Sequence, residues 1–193
     1  LWEGIIARLF SKEYSYDEGF YGDLRQFSEK VAYFFHSNLQ GVEARSGALQ
    51  AMHDLYAIEI AQGLLADGQS FTFTQLLRAL SLQGTLPPLA AMFHPDAVLF
   101  SHELGIRKPS RSLFELTRER LKVAGFQPEE VLHISCRLAT DLVPAKAAGM
   151  KTALLAAEKT GLEAQNELLK DSATRPDRLL TDLNQVATLF GIM

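Results

Sequence analysis

The sequence predicts an α/β fold, a parallel sheet with helices on both faces, and two observations carry that expectation. Short apolar runs at Ala97–Phe100, Val131–Ile134 and Thr152–Leu155 have the length and composition of buried strands. Between them lie a helical pattern from Ser112 to Val123 and an alanine-rich one closing at Gly149-Met150. Strands that alternate with helices in this way run parallel, because each return to the sheet needs a crossover. Strands are expected near 58–65, 97–101, 131–135 and 152–156.

The chain begins at Leu1, which is not a methionine and suggests upstream sequence. Trp2, Ile5, Ile6, Leu9 and Phe10 recur at helical spacing, and either Asp17 or Asp23 opens a second helix reaching about Leu39. Phe20, Leu24, Phe27, Val31 and Phe34 or Phe35 supply its apolar face, a pattern of packing rather than of ligand binding. Tyr14, Tyr16 and Tyr21 read as partly exposed. Residues 1–43 form a helical lobe on this reading, and 44–193 the α/β core. Gly41 to Gly47 is a linker, Ala48 to Tyr56 a helix, and Ala57 to Leu65 a buried strand that ends in the turn Ala66-Asp67-Gly68-Gln69. Phe73 to Gln83 is helical. Gly84 to Pro95 is a loop punctuated by Pro87, Pro88 and Pro95. Ser112 and Glu115 have capping-box spacing at the start of the following helix. Gly161 to Lys170 and Asp182 to Phe190 read as helices flanking a short strand at Arg178-Leu179-Leu180.

Composition narrows the function. The chain has 193 residues, 47% hydrophobic and 22% charged, as in a soluble globular protein. Its net charge of −4 argues against a nucleic-acid binder. No apolar run approaches the roughly 18 residues of a membrane span, and the start is not a signal peptide. A single cysteine forbids an internal disulfide and fits a reducing compartment, so the cytoplasm is the expected location. The five histidines show no zinc-site spacing.

In a parallel sheet, reactive groups gather at the carboxyl ends of the strands. Here those ends are Ala66-Asp67, Ser101 and Ser135-Cys136, with the turn Gly105-Ile106-Arg107-Lys108-Pro109-Ser110 beside them. Lys108 is the leading candidate for chemistry, because its ammonium can stabilise negative charge that develops beside it. Asp67, Gly68, Ser101 and Arg107 are the candidate substrate-binding residues around it.

Lys108-Pro109, Asp141 and Ala147-Ala148-Gly149-Met150 stand in the order and spacing of a known pattern. On them, the chain resembles the haloacid dehalogenase superfamily over roughly residues 40 to 190. The resemblance implies a Rossmann-like core with a small helical cap. It also implies a Mg²⁺-dependent phosphatase that attacks a small phosphorylated metabolite through an aspartyl-phosphate. Lys108 is then the residue that stabilises the phosphoryl charge, and Asp141 an acidic residue of the metal segment.

The departures are as informative as the matches. No Asp-x-Asp, the family's nucleophile and acid/base pair, occurs in the 193 residues. Ala66 stands where the family has a hydroxyl, and Cys136 replaces the ligand aspartate of the metal segment. A thiol is a poor Mg²⁺ ligand. Nothing in the sequence sets a base beside Cys136, which reads as a structural thiol rather than a nucleophile. The family's first strand, central in its sheet, is missing, so an upstream segment or some other element is expected to fill the gap. The expected function is an impaired or inactive phosphatase-type hydrolase. The alternative is a non-catalytic module that keeps the fold to bind an anion or a protein partner.

Overall fold

The structure, a computed structural model, describes residues 2–12, 14–39, 43–159 and 161–191. The Trp2 side chain and the first residues of the expected Gly41–Gly47 linker lie outside that description.

The N-terminal helices α1 (Trp2–Lys12), α2 (Glu18–Tyr21) and α3 (Leu24–Leu39) are organised by aromatic rings. Phe10 meets Phe27 edge-on at 4.7 Å, and Tyr16 stacks on Phe27 at 4.3 Å. Ile6 and Ala32 are buried together against Phe71 of the core. Both candidate caps are used: Asp17 accepts from the Phe20 amide at 3.1 Å and Asp23 from the Gln26 amide at 2.8 Å. The expected single helix is therefore two, and Phe20, assigned to its apolar face, is 76% exposed on α2.

Helix α4 (Ala48–Ala57) ends differently from the expectation. The stretch 57–63 is not a strand. Glu59 takes a left-handed conformation (φ 60°), and the amides of Glu59 and Ile60 turn back to the carbonyls of Tyr56 and Leu55 at 3.0 Å each. This is a Schellman termination, usually marked by glycine; a glutamate in that place hides it. Strand β1 (Leu64–Ala66) follows and pairs in parallel with β2 (Val98–Phe100), Leu65 opposite Leu99. Before β1, a Cβ on Gly63 would come within 2.8 Å of the Ala97 carbonyl oxygen. Gly63→Ala is therefore expected to cost roughly 1–3 kcal/mol through overpacking. Thermal unfolding checks this, and an unchanged Tm would show that the β1–β2 entry tolerates a side chain.

Helix α5 (Thr72–Ser81) and the short α6 (Leu89–Met92) connect β1 to β2, so the expected loop at 84–95 contains a turn of helix. Helix α7 (Ser101–Leu104) starts directly at the end of β2, and α8 (Arg111–Val123) follows the lysine turn. The expected capping box does not form. Ser110 is the N-cap, Ser112 lies inside the helix, and Glu115 pairs with Arg111 at 2.7 Å instead.

Three further strands form a second parallel sheet, β3 (Leu132–Ser135), β4 (Lys151–Leu155) and β5 (Arg178–Leu180), with β4 in the middle. Between β3 and β4 come a π-helical turn (Leu138–Leu142) and α9 (Val143–Ala147). Helices α10 (Asn166–Lys170) and α11 (Gln185–Thr188) are shorter than expected. At α10 the cause is tertiary. Glu163 is drawn into a bridge with Arg137, its amide donating to the Cys136 carbonyl and its carbonyl accepting from Leu138, both at 2.8 Å.

Helices pack on both faces of this sheet. Leu132, Ile134, Ala153 and Leu155 meet Leu55 of α4 and Val186 of α11. Leu154, on the opposite face, packs with Leu138 and Leu142. Leu113 and Phe114 of α8 join Ala145, Ala148 and Met150, with Leu65 and Val131 against them. The order β1-β2 and β3-β4-β5 leaves the two sheets unpaired with each other. Strands β1 and β3 are only half-buried, whereas β4 is buried along nearly its whole length.

Candidate functional site

The carboxyl ends of β1, β2 and β3 each deliver a polar residue, and the turn after α7 sets Lys108 among them. At the end of β1, Asp67 accepts a hydrogen bond from the Lys108 amide at 3.1 Å. Beside it the Gly68 amide donates to Ser101 Oγ, at the end of β2, at 3.1 Å. The Lys108–Pro109 peptide is cis. From this turn the Lys108 ammonium donates to Asp141 Oδ1, beyond the end of β3. Lys108 is thus held at both ends, its backbone by the first sheet and its side chain by the second.

Asp141 sits in the π-helical turn with its side chain 4% exposed, and the Lys108 side chain is 13% exposed. Thr140 Oγ1 donates to Asp141 Oδ2 at 2.8 Å. His133 Nε2 lies 3.9 Å from Oδ1, an electrostatic contact rather than a hydrogen bond, and this buried nitrogen has no hydrogen-bond partner. Burial alone would raise the Asp141 pKa. The His133 imidazole, the Lys108 ammonium and the Thr140 hydroxyl outweigh it and hold the carboxyl well below the usual carboxylate range.

The structure thus joins Asp67, Lys108 and Asp141 in one chain of contacts, with Gly68 and Ser101 linked beside them. Arg107 is exposed on the turn and has no part in this set. Cys136 is half-buried at the end of β3, and its carbonyl is taken by the Glu163 amide. His133 and Thr140 were not among the sequence candidates. The strand alternation carried the signal for His133, since it shares the face of Ser135 while Leu132 and Ile134 turn to the other side.

The resemblance implies Mg²⁺, which needs hard oxygen donors in near-octahedral array. The residues present do not fit it. Cys136 presents sulfur where a carboxylate is required, Lys108 and Thr140 take up the two oxygens of Asp141, and Asp67 holds the Lys108 backbone. Among the described residues no three His, Cys, Asp or Glu side chains gather as a metal cage.

Comparison with known proteins agrees with the fold. A family described as HAD-hydrolase-like matches residues 105–186, which include Lys108, Cys136 and Asp141 but not Asp67 or Ser101. No curated protein sequence matches the chain. Among solved structures, a HAD-hydrolase of Bacillus subtilis bound to magnesium has a TM-score of 0.61 at 18% identity, over 98% of this chain and 79% of that one. A HAD phosphatase of Thermococcus onnurineus has a TM-score of 0.61 at 19% identity, over 98% and 79%. A 2-haloacid dehalogenase of Pseudomonas syringae also reaches 0.61, at 16% identity, over 98% and 69%. These likenesses, at low identity, speak for the fold. The matched family segment, less than half of the chain, is the one that carries the lysine turn and Asp141.

Proposed function

We propose that the chain is a hydrolase domain of the phosphatase type, shaped for a small phosphorylated metabolite and catalytically impaired or inactive as it stands. The observation that carries this reading is the half-buried Lys108, fixed at the strand ends with its ammonium on a buried carboxylate. A lysine so placed stabilises negative charge that develops beside it. Asp67 orients the turn, and Ser101 and the Gly68 amide line the approach. The impairment is read from what surrounds the lysine. The 193 residues contain no Asp-x-Asp, so no aspartate pair attacks phosphorus and protonates the leaving group. Ala66 offers no hydroxyl to a phosphoryl oxygen, and the loss of one such donor typically costs about 10²–10³ in rate.

A second reading is an anion-binding or protein-interaction module without catalysis. It draws on the same pair, since an ammonium already neutralised by Asp141 keeps its geometry without a reacting partner. A cap role for the N-terminal helices belongs to the first reading. Among the described residues no helix is long and apolar enough to cross a membrane.

The test is turnover of an aryl phosphate and, because a structural neighbour is a 2-haloacid dehalogenase, of a 2-haloacid. The chain is expected to show neither above background. Hydrolysis that disappears in Lys108→Ala would show an active enzyme and defeat the proposed impairment.

A further inference from the structure

The superfamily resemblance calls for a divalent cation at this end of the sheet, but the residues supply a different one. We infer that the Lys108 ammonium is the resident counter-cation of Asp141, so that the site is charge-balanced by the protein itself and takes up no Mg²⁺.

The argument is one of donor accounting. Asp141 is buried, and a buried carboxylate persists in its charged form only beside a compensating positive charge. That charge is already there. Lys108 donates to Oδ1, Thr140 donates to Oδ2 at 2.8 Å, and the His133 ring stands 3.9 Å from Oδ1. A magnesium ion binding at roughly 2.0–2.1 Å from a carboxylate oxygen would have to displace the ammonium or sit against it. Displacement is opposed by the second anchor, because the Lys108 amide is held by Asp67 at 3.1 Å and the side chain leaves a fixed point. Sitting beside it would bring two cations onto one shielded carboxylate. The nearest candidate ligands do not offset either cost, since Cys136 offers a thiol and one Asp67 carboxylate oxygen accepts from the Lys108 amide.

The inference does not depend on turnover, so its test uses binding and spectroscopy. In the 193-residue chain, a two-dimensional ¹H–¹⁵N spectrum tuned to lysine ammonium groups is expected to show Lys108 Nζ protected from exchange with water. Millimolar Mg²⁺ is expected to leave that signal unmoved, and calorimetric titration with Mg²⁺ to give no saturable heat. In Asp141→Asn, which keeps the shape of the side chain, the protected ammonium signal is expected to be lost. A Lys108 resonance that shifts on Mg²⁺ addition, or saturable Mg²⁺ binding abolished in Asp141→Asn, would overturn the inference. So would a Lys108 signal in fast exchange with water in the unaltered chain. Should Asp141→Asn fail to fold, the spectrum and titration of the unaltered chain decide the matter alone.

Discussion

Lys108→Ala is expected to lower stability by about 3–5 kcal/mol at neutral pH, the cost of stranding one partner of a buried ion pair. Removing the ammonium leaves Asp141 with its side chain only 4% exposed and no nearby fixed cation. The carboxylate then either stays charged without compensation or takes up a proton, and both routes cost free energy at pH 7. The sign of the pH dependence follows from the direction of the Asp141 shift. Its folded pKa lies below the unfolded one, so the pair's contribution is complete above about pH 4 and is lost as pH falls through the folded value. The gap between the unaltered chain and Lys108→Ala should therefore narrow in acid. Adding Asp141→Leu to Lys108→Met should recover most of the loss, because a buried pair replaced by apolar groups is often neutral. Urea unfolding at several pH values measures all three. Superimposable curves for the unaltered chain and Lys108→Ala at pH 7 would mean that the pair contributes nothing.

Phe114→Ala is expected to cost a comparable 3–5 kcal/mol, for a different reason. Phe114 is 1% exposed and fills the space between α8 and α9, in a cluster with Leu113, Leu121, Ala145 and Met150. Truncation loses the buried surface and leaves a cavity that neighbours close only in part. Its ring also stands edge-on to His133 at 5.9 Å, so the change loosens the wall behind the Asp141 contact. Val123, at the end of the same helix and 91% exposed, is the control, and Val123→Ala should stay within roughly 0.5 kcal/mol of the unaltered chain. Equal urea midpoints for the two variants would deny Phe114 its place in the core.

What the sequence disclosed and what it concealed divide along physical lines. The runs at 97–100, 131–134 and 152–155 appear as strands, because each is apolar, brief and bounded by turn residues. The lysine turn and Asp141 were singled out by the order and spacing of a family pattern, not by apolarity. The run through Ile58 and Ile60 misled, since a glutamate at φ 60° performs a helix termination usually signalled by glycine. Tertiary pairing of Glu163 with Arg137 shortened a helix whose local pattern read as continuous. His133 was not placed in the site because its partner Asp141 is brought to it only by the π-helical turn, a geometry that residue spacing does not announce.

The double anchoring of Lys108 has a mechanical side. The backbone of the residue belongs to the edge of one sheet and its ammonium to the far side of a break that no ladder crosses. One side chain therefore adds a polar tie to the apolar packing that joins the two sheets. Any anion that recruits the ammonium does so at the expense of that tie, so occupancy and cohesion compete for the same three protons. A ligand that shares the lysine with Asp141 leaves that tie in place. One that takes it outright leaves the two sheets joined by the apolar clusters alone.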